Sequence, residues 1–218
     1  MKKLVVLFFI VAVIACSFVF KVDGRVTDNE YIFREVQIID SALLRDCEIS
    51  LNDDAVIIRY RMEDYFKDTD EYCQYCFAVF PDEHYSADEV YRELLAMKMN
   101  ESYSVFDTDK ADIIIRSMLC YRMENRVGTK MIRISKVYGR YDVYDKNMDI
   151  RKNSYAIDNT GLNYYQYYQK ALPVKTDIWS DKTDASWNYD MVVEESPIGI
   201  SYTVETTKRK YTLENYIG

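Results

Sequence analysis

Cysteines offer the first candidates for chemistry in this chain. Cys73 and Cys76 form a CxxC motif, which in thiol-redox enzymes normally opens a helix after a strand, where the helix dipole lowers the pKa of the first thiol. Here Phe77–Phe80 continues an apolar, β-like run instead, so redox catalysis is disfavoured. A four-cysteine zinc site needs two close pairs, whereas Cys47 and Cys120 are isolated. We therefore predict that these four cysteines form two disulfides, in one of three connectivities, and leave no free thiol.

Other side chains suited to catalysis are sparse. His84 is the single histidine, so any Ser–His or Cys–His pair would have to use it, and its polar turn favours a surface role. The carboxylate pairs Asp53–Asp54 and Glu194–Glu195 have no spacing that specifies a glycosidase. The acidic segment Asp107–Asp112 offers oxygen ligands for Ca²⁺ but lacks the Gly and Glu of an EF-hand loop. We predict no catalytic residues, no bound metal and no cofactor.

The most distinctive local feature is the segment Asn163–Gln169, with the sequence NYYQYYQ. It holds four tyrosines and three side-chain amides in seven residues. Tyrosine provides rigid contact area with a polar tip, which suits recognition of a protein or of the face of a sugar. In the alternative interpretation, alternate rings fill the protein core while their neighbours cover its rim. We predict a binding surface made by Tyr164, Tyr165, Tyr167 and Tyr168.

The first twenty residues have the layout of an export signal. Met1–Lys3 is basic and Leu4–Val13 is unbroken apolar sequence. The residues Val-Ile-Ala before Cys16 match a bacterial lipobox, so we predict Cys16 as a lipidation site that attaches the chain to a membrane. Two alternatives remain open: ordinary signal-peptidase cleavage after Ala15, or an uncleaved anchor, because Leu4–Phe20 is just long enough to span a bilayer. All three place the protein outside the cytoplasm, membrane-attached or secreted.

Composition describes a folded, acidic protein. Hydrophobic residues make up 49% of the 218 residues and charged residues 29%, which is the balance of a globular domain with at most a small appended region. The net charge of −8 repels phosphate backbones, so we predict no nucleic-acid partner.

The residues between the leader and position 110 predict a small α/β region. Residues 55–80 form two β-like runs around a polar tip, which predicts a hairpin. Ser86 and Glu89 make a capping box before an apolar face at helical spacing, so a helix is predicted over residues 87–99.

From residue 111 onward the pattern becomes almost entirely β. Residues 112–123 and 130–143 alternate around a turn that contains Gly128, which predicts a hairpin. Further strand-like runs follow at short spacing: 148–157, 167–174, 187–193, 198–203 and 208–213. The predicted fold class is therefore mainly β, with an antiparallel β-sandwich in the C-terminal half. The predicted domains are a leader at 1–20, an α/β region at 21–110 and a β-sandwich at 111–218.

Several segments of the C-terminal half carry a resemblance to a group of known proteins. The segments Ile134–Tyr141 and Asp142–Ile150, followed by Asn159–Gly161 and Trp187, resemble a pattern in small exported β-rich proteins of Gram-positive bacteria. In those proteins a hairpin leads through a Val-x-Gly-aromatic segment and a turn to a strand that carries Trp. The resemblance covers residues 112–214; it implies fold and location, and no activity.

Together these features predict a non-enzymatic binding or interaction module at the cell surface. Its partner would be a protein or a glycan, with the membrane contacted through the N-terminus. A small extracytoplasmic hydrolase or thiol-redox protein is one alternative, and a structural component of the cell envelope is another.

Overall fold

The structure is a computed structural model that describes residues 39–62, 71–126, 128–183, 186–191 and 198–217. All of these residues belong to the second of the two units into which the chain divides, Val36–Gly218. The leader at 1–20, the predicted lipidation site Cys16 and the pair Glu194–Glu195 lie outside the described residues.

Two α-helices lie in the N-terminal part of the described chain. Helix α1 spans Ser41–Arg45 and helix α2 spans Ala87–Met99, with a short 3₁₀ turn at Thr108–Lys110. The Ser86 hydroxyl accepts a hydrogen bond from the Glu89 backbone N–H at 3.2 Å. The Glu89 carboxylate in turn accepts from the Ser86 N–H at 2.8 Å. This reciprocal capping confirms the predicted helix over residues 87–99.

Eleven strands make up most of the described residues, and every pairing between them is antiparallel. In chain order they are β1 (Glu48–Leu51), β2 (Val56–Met62), β3 (Glu71–Pro81), β4 (Ala111–Arg126), β5 (Thr129–Val143), β6 (Ile150–Asn159), β7 (Tyr167–Leu172), β8 (Ile178–Lys182), β9 (Asp190–Met191), β10 (Ile198–Thr206) and β11 (Lys210–Ile217).

The strands form two sheets. The larger has the order β1-β2-β3-β4-β5-β8, with the short β9 also paired to β5, and the smaller has the order β11-β10-β6-β7. The mainly β fold class and the two-sheet arrangement in the C-terminal half are thus confirmed. Strands β3 and β4 pair along their length, so the larger sheet runs across the position between residues 110 and 111.

The hairpin of β4 and β5 shows how local sequence sets the larger sheet. Gly128 has a φ of 81°, in the left-handed region that glycine adopts without steric cost, and the chain reverses there between two long strands. The hairpin predicted for residues 112–143 is confirmed. The hairpin of β2 and β3 predicted within 55–80 is also confirmed, although its tip lies outside the described residues.

The core of the sandwich lies between the two sheets. Alternate residues of each strand point into it, as the period of two in a β-strand requires. Among its members are Phe80 and Ile115 from the larger sheet and Tyr202 and Leu213 from the smaller one, all almost fully buried. Helix α2 contacts β1, β2 and β3, and the other alternate residues of β2 and β3 are also buried. The larger sheet is therefore covered on both faces in this region.

A stack of aromatic rings closes the edge of the core beside β7. Trp179 lies parallel to Tyr155 with ring centroids 3.9 Å apart, and it meets the edge of Tyr202 at 5.2 Å. Gly139 is the register partner of Trp179 on the neighbouring strand, and the indole ring packs directly over it. A side chain at position 139 would occupy space that the indole fills, and Tyr155 keeps the ring from moving aside.

We therefore expect Gly139→Ala to lower the free energy of unfolding by about 1–3 kcal/mol, the usual cost of overpacking a filled core. Urea unfolding followed by circular dichroism measures the change. Gly128→Ala is a useful comparison, because a methyl group there would meet no neighbour and would report only the backbone cost of a positive φ. A Gly139→Ala protein as stable as the wild type would contradict the proposed packing.

Candidate binding surface

The tyrosine-rich segment lies on the surface. Tyr164, Tyr165, Tyr167 and Tyr168 keep between 41% and 79% of their accessible area, so none of these rings fills the core. The first two lie in the loop between β6 and β7, and the last two begin β7, an edge strand whose side chains are nearly all exposed. Tyr165 and Tyr167 are stacked, with centroids 6.4 Å apart. The segment therefore keeps a large part of its aromatic surface exposed.

A buried carboxylate fixes the conformation of this loop. Asp190 is fully buried, and its oxygens accept hydrogen bonds from the backbone N–H groups of Gly161 (3.1 Å), Asn163 (3.0 Å) and Tyr164 (2.7 Å). The Asn163 side-chain amide and the Met191 N–H donate to it as well. Burial alone would raise the pKa of Asp190, but these donors outweigh it and hold the pKa below its ordinary value. The loop is thus tied to an ionised group.

Close packing at Gly161 depends on the same carboxylate. A Cβ at position 161 would collide with the Asp190 carboxyl group and with the Met191 carbonyl oxygen. Glycine therefore lets the backbone approach near enough for its N–H to donate to Asp190.

A second anchor holds the end of the loop. The Gln166 side chain donates to the carbonyl oxygen of Asn188 at 3.2 Å and accepts from the Asn188 N–H at 2.6 Å. The Gln166 carbonyl oxygen accepts from the N–H of Asn159 at 2.8 Å, and the buried Asn159 side chain accepts from Ile134 on β5 at 3.0 Å. Two of the three amides in the segment, Asn163 and Gln166, therefore hold the loop in place, while the tyrosines between them stay exposed.

Strand β7 divides its residues between two faces. Tyr167 and Gln169 pair in register with Asp158 and Ala156 on β6, so they share the outer face of the smaller sheet, away from the core. Tyr168 lies on the other side, with its ring 6.2 Å from Tyr155.

Polar contacts join β7 to the larger sheet on the side of β7 that faces the core. The Tyr155 hydroxyl donates to the Asp181 carboxylate on β8, and Lys170 on β7 forms an ion pair with the same carboxylate at 3.0 Å. Burial and the contact with Asp181 both raise the pKa of Tyr155, so this hydroxyl stays protonated and remains a donor.

The outer face of the smaller sheet contains a shallow depression of about 310 Å³, which we call the outer depression. Its floor consists of small side chains, and longer polar and aromatic side chains stand around it. The lining residues are Ser154, Tyr155, Ala156, Asp158, Tyr167, Gln169, Ser201, Thr203, Lys210 and Tyr216.

The register of the smaller sheet arranges these side chains in rows across its four strands. One row reads Tyr216, Gly199, Asp158 and Tyr167, from β11 to β7. The Tyr216 ring lies against Gly199, because a Cβ at that position would meet it. Burial raises the pKa of Tyr216 to about 12, and the charges of Glu214 and Asp158 add to the effect. Its hydroxyl therefore stays protonated and can donate a hydrogen bond.

The next row reads Glu214, Ser201, Ala156 and Gln169. The third reads Thr212, Thr203, Ser154 and Ala171, with the two threonine hydroxyls 3.1 Å apart. The sequence did not predict these rows, because only the tyrosine segment was recognised there as a binding surface. The signal was the alternation of small polar residues on β6 and β10, which is typical of a solvent-facing side of a sheet.

The cysteines differ from the sequence prediction. Cys73 and Cys120 are register partners on β3 and β4 and form a disulfide, with Cα atoms 4.3 Å apart. Cys47 and Cys76, however, are buried free thiols, so the prediction that none of the four would be free is wrong. Residues three apart in a strand point to opposite faces, which separates Cys76 from Cys73 and places it in the sandwich core.

Neither free thiol is prepared for nucleophilic chemistry. Burial raises the pKa of Cys76, and likewise that of Cys47, to about 12, so both stay protonated near neutral pH. The Cys47 thiol donates to the carbonyl oxygen of Leu43 at 3.0 Å.

The other candidate residues have structural surroundings. His84 is exposed in the turn before α2, where its N–H donates to the Asp82 carboxylate at 3.0 Å. In the acidic segment 107–112, the buried Asp112 carboxylate contacts Lys208 at 3.1 Å and accepts from the Tyr211 hydroxyl at 2.9 Å. Asp53 and Asp54 are exposed between β1 and β2. Among the described residues, no three His, Cys, Asp or Glu side chains are grouped to hold a metal ion.

Within the part of the chain that the structure describes, no helix has the length and apolar character needed to cross a membrane.

Comparison with known proteins identified no relative. No protein-family model matches the chain, and neither a curated protein nor a solved structure is significantly similar to it.

Proposed function

We propose that this chain is a non-enzymatic binding module that acts outside the cytoplasm, either membrane-attached through its N-terminus or secreted. The observation that carries the proposal is the group of exposed tyrosines in and beside a loop that Asp190 anchors. Exposed aromatic side chains grouped together are typical of contact surfaces, because their rings lose little conformational entropy and bury much area on binding.

Anchoring of the loop supports a binding role in a second way. A loop that must be ordered by its partner lowers the affinity by the free energy of that ordering. Here Asp190 and Gln166 already fix the backbone of residues 161–166, so the tyrosines are held in position before any partner arrives. This arrangement supports a preorganised surface.

The leader at residues 1–20 supports the proposed location outside the cytoplasm. A basic start, an apolar run and a lipobox-like sequence before Cys16 are the features of exported lipoproteins. Mass spectrometry of the protein isolated from its source tests this part of the proposal. A diacylglyceryl-modified Cys16 at the N-terminus supports attachment and cleavage after Ala15 without lipid supports secretion, whereas recovery of the intact chain from the cytosol would overturn export.

We expect Tyr165→Ala to abolish most binding while leaving the fold intact. Tyr165 is 79% exposed, so its removal should change the free energy of unfolding by less than about 0.5 kcal/mol. Binding is measured by adding fluorescently labelled protein to intact cells of the source organism and following saturation. Loss of a central aromatic contact should weaken it at least about tenfold.

The matched control is Tyr103→Ala, since Tyr103 is 68% exposed and lies in the segment between α2 and β4, outside the tyrosine-rich loop. Its binding curve should overlay that of the wild type. Absence of saturable binding, or equal loss in both variants, would count against the proposed binding surface.

A further inference from the structure

We propose that the outer depression binds a neutral glycan, with the rings of Tyr167 and Tyr216 packing against sugar faces. This inference rests on the proposed function and names its ligand class. It concerns the outer face of the smaller sheet, which adjoins the tyrosine-rich loop through Tyr167.

The shape of the outer depression favours a flat ligand that lies along the sheet. Tyr167 and Tyr216 belong to opposite edge strands of a four-stranded sheet, so three strand spacings separate their backbones, or about 14 Å. Between them lie Gly199 and Asp158, with Ser201 and Ala156 in the next row. The Tyr216 ring covers Gly199, whereas the small side chains of Ser201 and Ala156 leave room in the next row.

The hydrogen-bonding groups around this space suit hydroxyl groups. One Asp158 oxygen accepts from the Thr160 N–H at 2.9 Å, and the other has no partner among the described residues. The half-exposed hydroxyls of Ser201 and Thr203 both donate and accept, and Gln169 adds an exposed amide. A sugar hydroxyl also donates and accepts, so it can satisfy this mixture of groups, whereas an apolar ligand would leave them unpaired.

The charges around the outer depression argue against an anionic ligand. The two rows nearest the tyrosines carry the carboxylates of Asp158 and Glu214 and no basic residue. Lys210 also lines the outer depression, but it lies three rows away from Tyr216, in the same row as Lys152. A phosphate, sulfate or uronate group beside the tyrosines would therefore meet the Asp158 carboxylate, with the basic side chains at the opposite end of the outer depression. Neutral sugars carry hydroxyls and a weakly polar ring face, which fits both the carboxylates and the tyrosines.

The experiment is affinity gel electrophoresis of the full-length protein in gels that contain one polysaccharide each. The neutral probes are xyloglucan, mixed-linkage β-glucan, galactomannan and soluble chitin oligomers, and the anionic probes are polygalacturonate and heparin. We expect at least one neutral probe to retard the protein and neither anionic probe to do so. Titration calorimetry with the matching oligosaccharide then gives the dissociation constant.

Two substitutions test whether the glycan binds in the outer depression. Tyr167→Ala should raise the dissociation constant at least about tenfold, because an aromatic contact is lost. Ala156→Gln should raise it by a similar factor, because a long side chain then fills the floor. Since Tyr167 is 46% exposed and Ala156 is partly exposed, both proteins should fold, which circular dichroism checks. Tyr103→Ala is again the control and should stay within about twofold of the wild type.

Failure of this inference can be distinguished from failure of the proposed function. If no neutral probe retards the protein while cell binding still depends on Tyr165, the glycan assignment is wrong and a protein partner is favoured. Retardation by anionic probes, or binding unaffected by both variants, would also overturn it. If the protein binds neither cells nor any probe, the proposed function itself fails.

Discussion

Removal of the Cys73–Cys120 disulfide is expected to lower the free energy of unfolding by about 4 kcal/mol. The two cysteines are 47 residues apart in sequence, and closing a loop of that length restricts the unfolded chain by roughly this amount. The double substitution Cys73→Ala/Cys120→Ala avoids burying hydroxyl groups where the sulfurs now lie. Urea unfolding followed by tryptophan fluorescence measures the loss.

Reduction provides an independent check on the same bond. Wild-type protein unfolded in reductant should match the double variant in stability, whereas Cys47→Ala, which removes a free thiol, should respond to reductant as the wild type does. Equal stability of the wild type with and without reductant would contradict the disulfide. Peptide mapping after alkylation in denaturant without reductant should find Cys47 and Cys76 modified, with Cys73 and Cys120 still joined.

Substitution of Asp190 by Asn is expected to cost about 3 kcal/mol at neutral pH. The carboxylate accepts hydrogen bonds from several backbone N–H groups of the loop, and hydrogen bonds to a charged group contribute more than neutral ones. Asparagine keeps a single acceptor oxygen and turns an NH₂ group toward those donors. Because the loop carries the exposed tyrosines, the same variant should also weaken cell binding.

The dependence on pH identifies the charge as the cause. The folded pKa of Asp190 is lowered, so its stabilising effect is fully present above the unfolded value of about 3.9 and is lost as pH falls through the folded value. The stability difference between wild type and Asp190→Asn should therefore be constant from about pH 6 to 8 and should shrink below about pH 4. Asp149→Asn, an exposed aspartate, should show no comparable difference. A stability difference between wild type and Asp190→Asn that persists unchanged in acid would refute the charge-based explanation.

Features that depend on neighbouring residues could be predicted from the sequence. The capping box of Ser86 and Glu89 acts within one helical turn, and Gly128 reverses the chain between adjacent strands, so both leave a local signal. Strands β1 and β8 were missed because they are short and, with few alternating apolar residues, they form only when a long neighbour supplies the pairing.

Features that depend on register across distant strands could not be predicted. Cys73 faces Cys120 only because β3 and β4 pair in one register after the intervening helix α2, and a shift by one residue would separate the sulfurs. The tyrosine segment was visible by composition, but its anchor Asp190 lies more than twenty residues further along the chain. The outer depression likewise combines residues from four strands that sequence spacing does not align.

The close packing of Trp179 over Gly139 also has an evolutionary consequence. Because the indole occupies the space of a side chain at position 139, a mutation to a larger residue there is tolerated only where the tryptophan has been replaced by something smaller. The two positions should therefore covary among descendants of the same ancestor. A glycine on one strand paired with a tryptophan on the next would then mark distant relatives after most other positions have diverged.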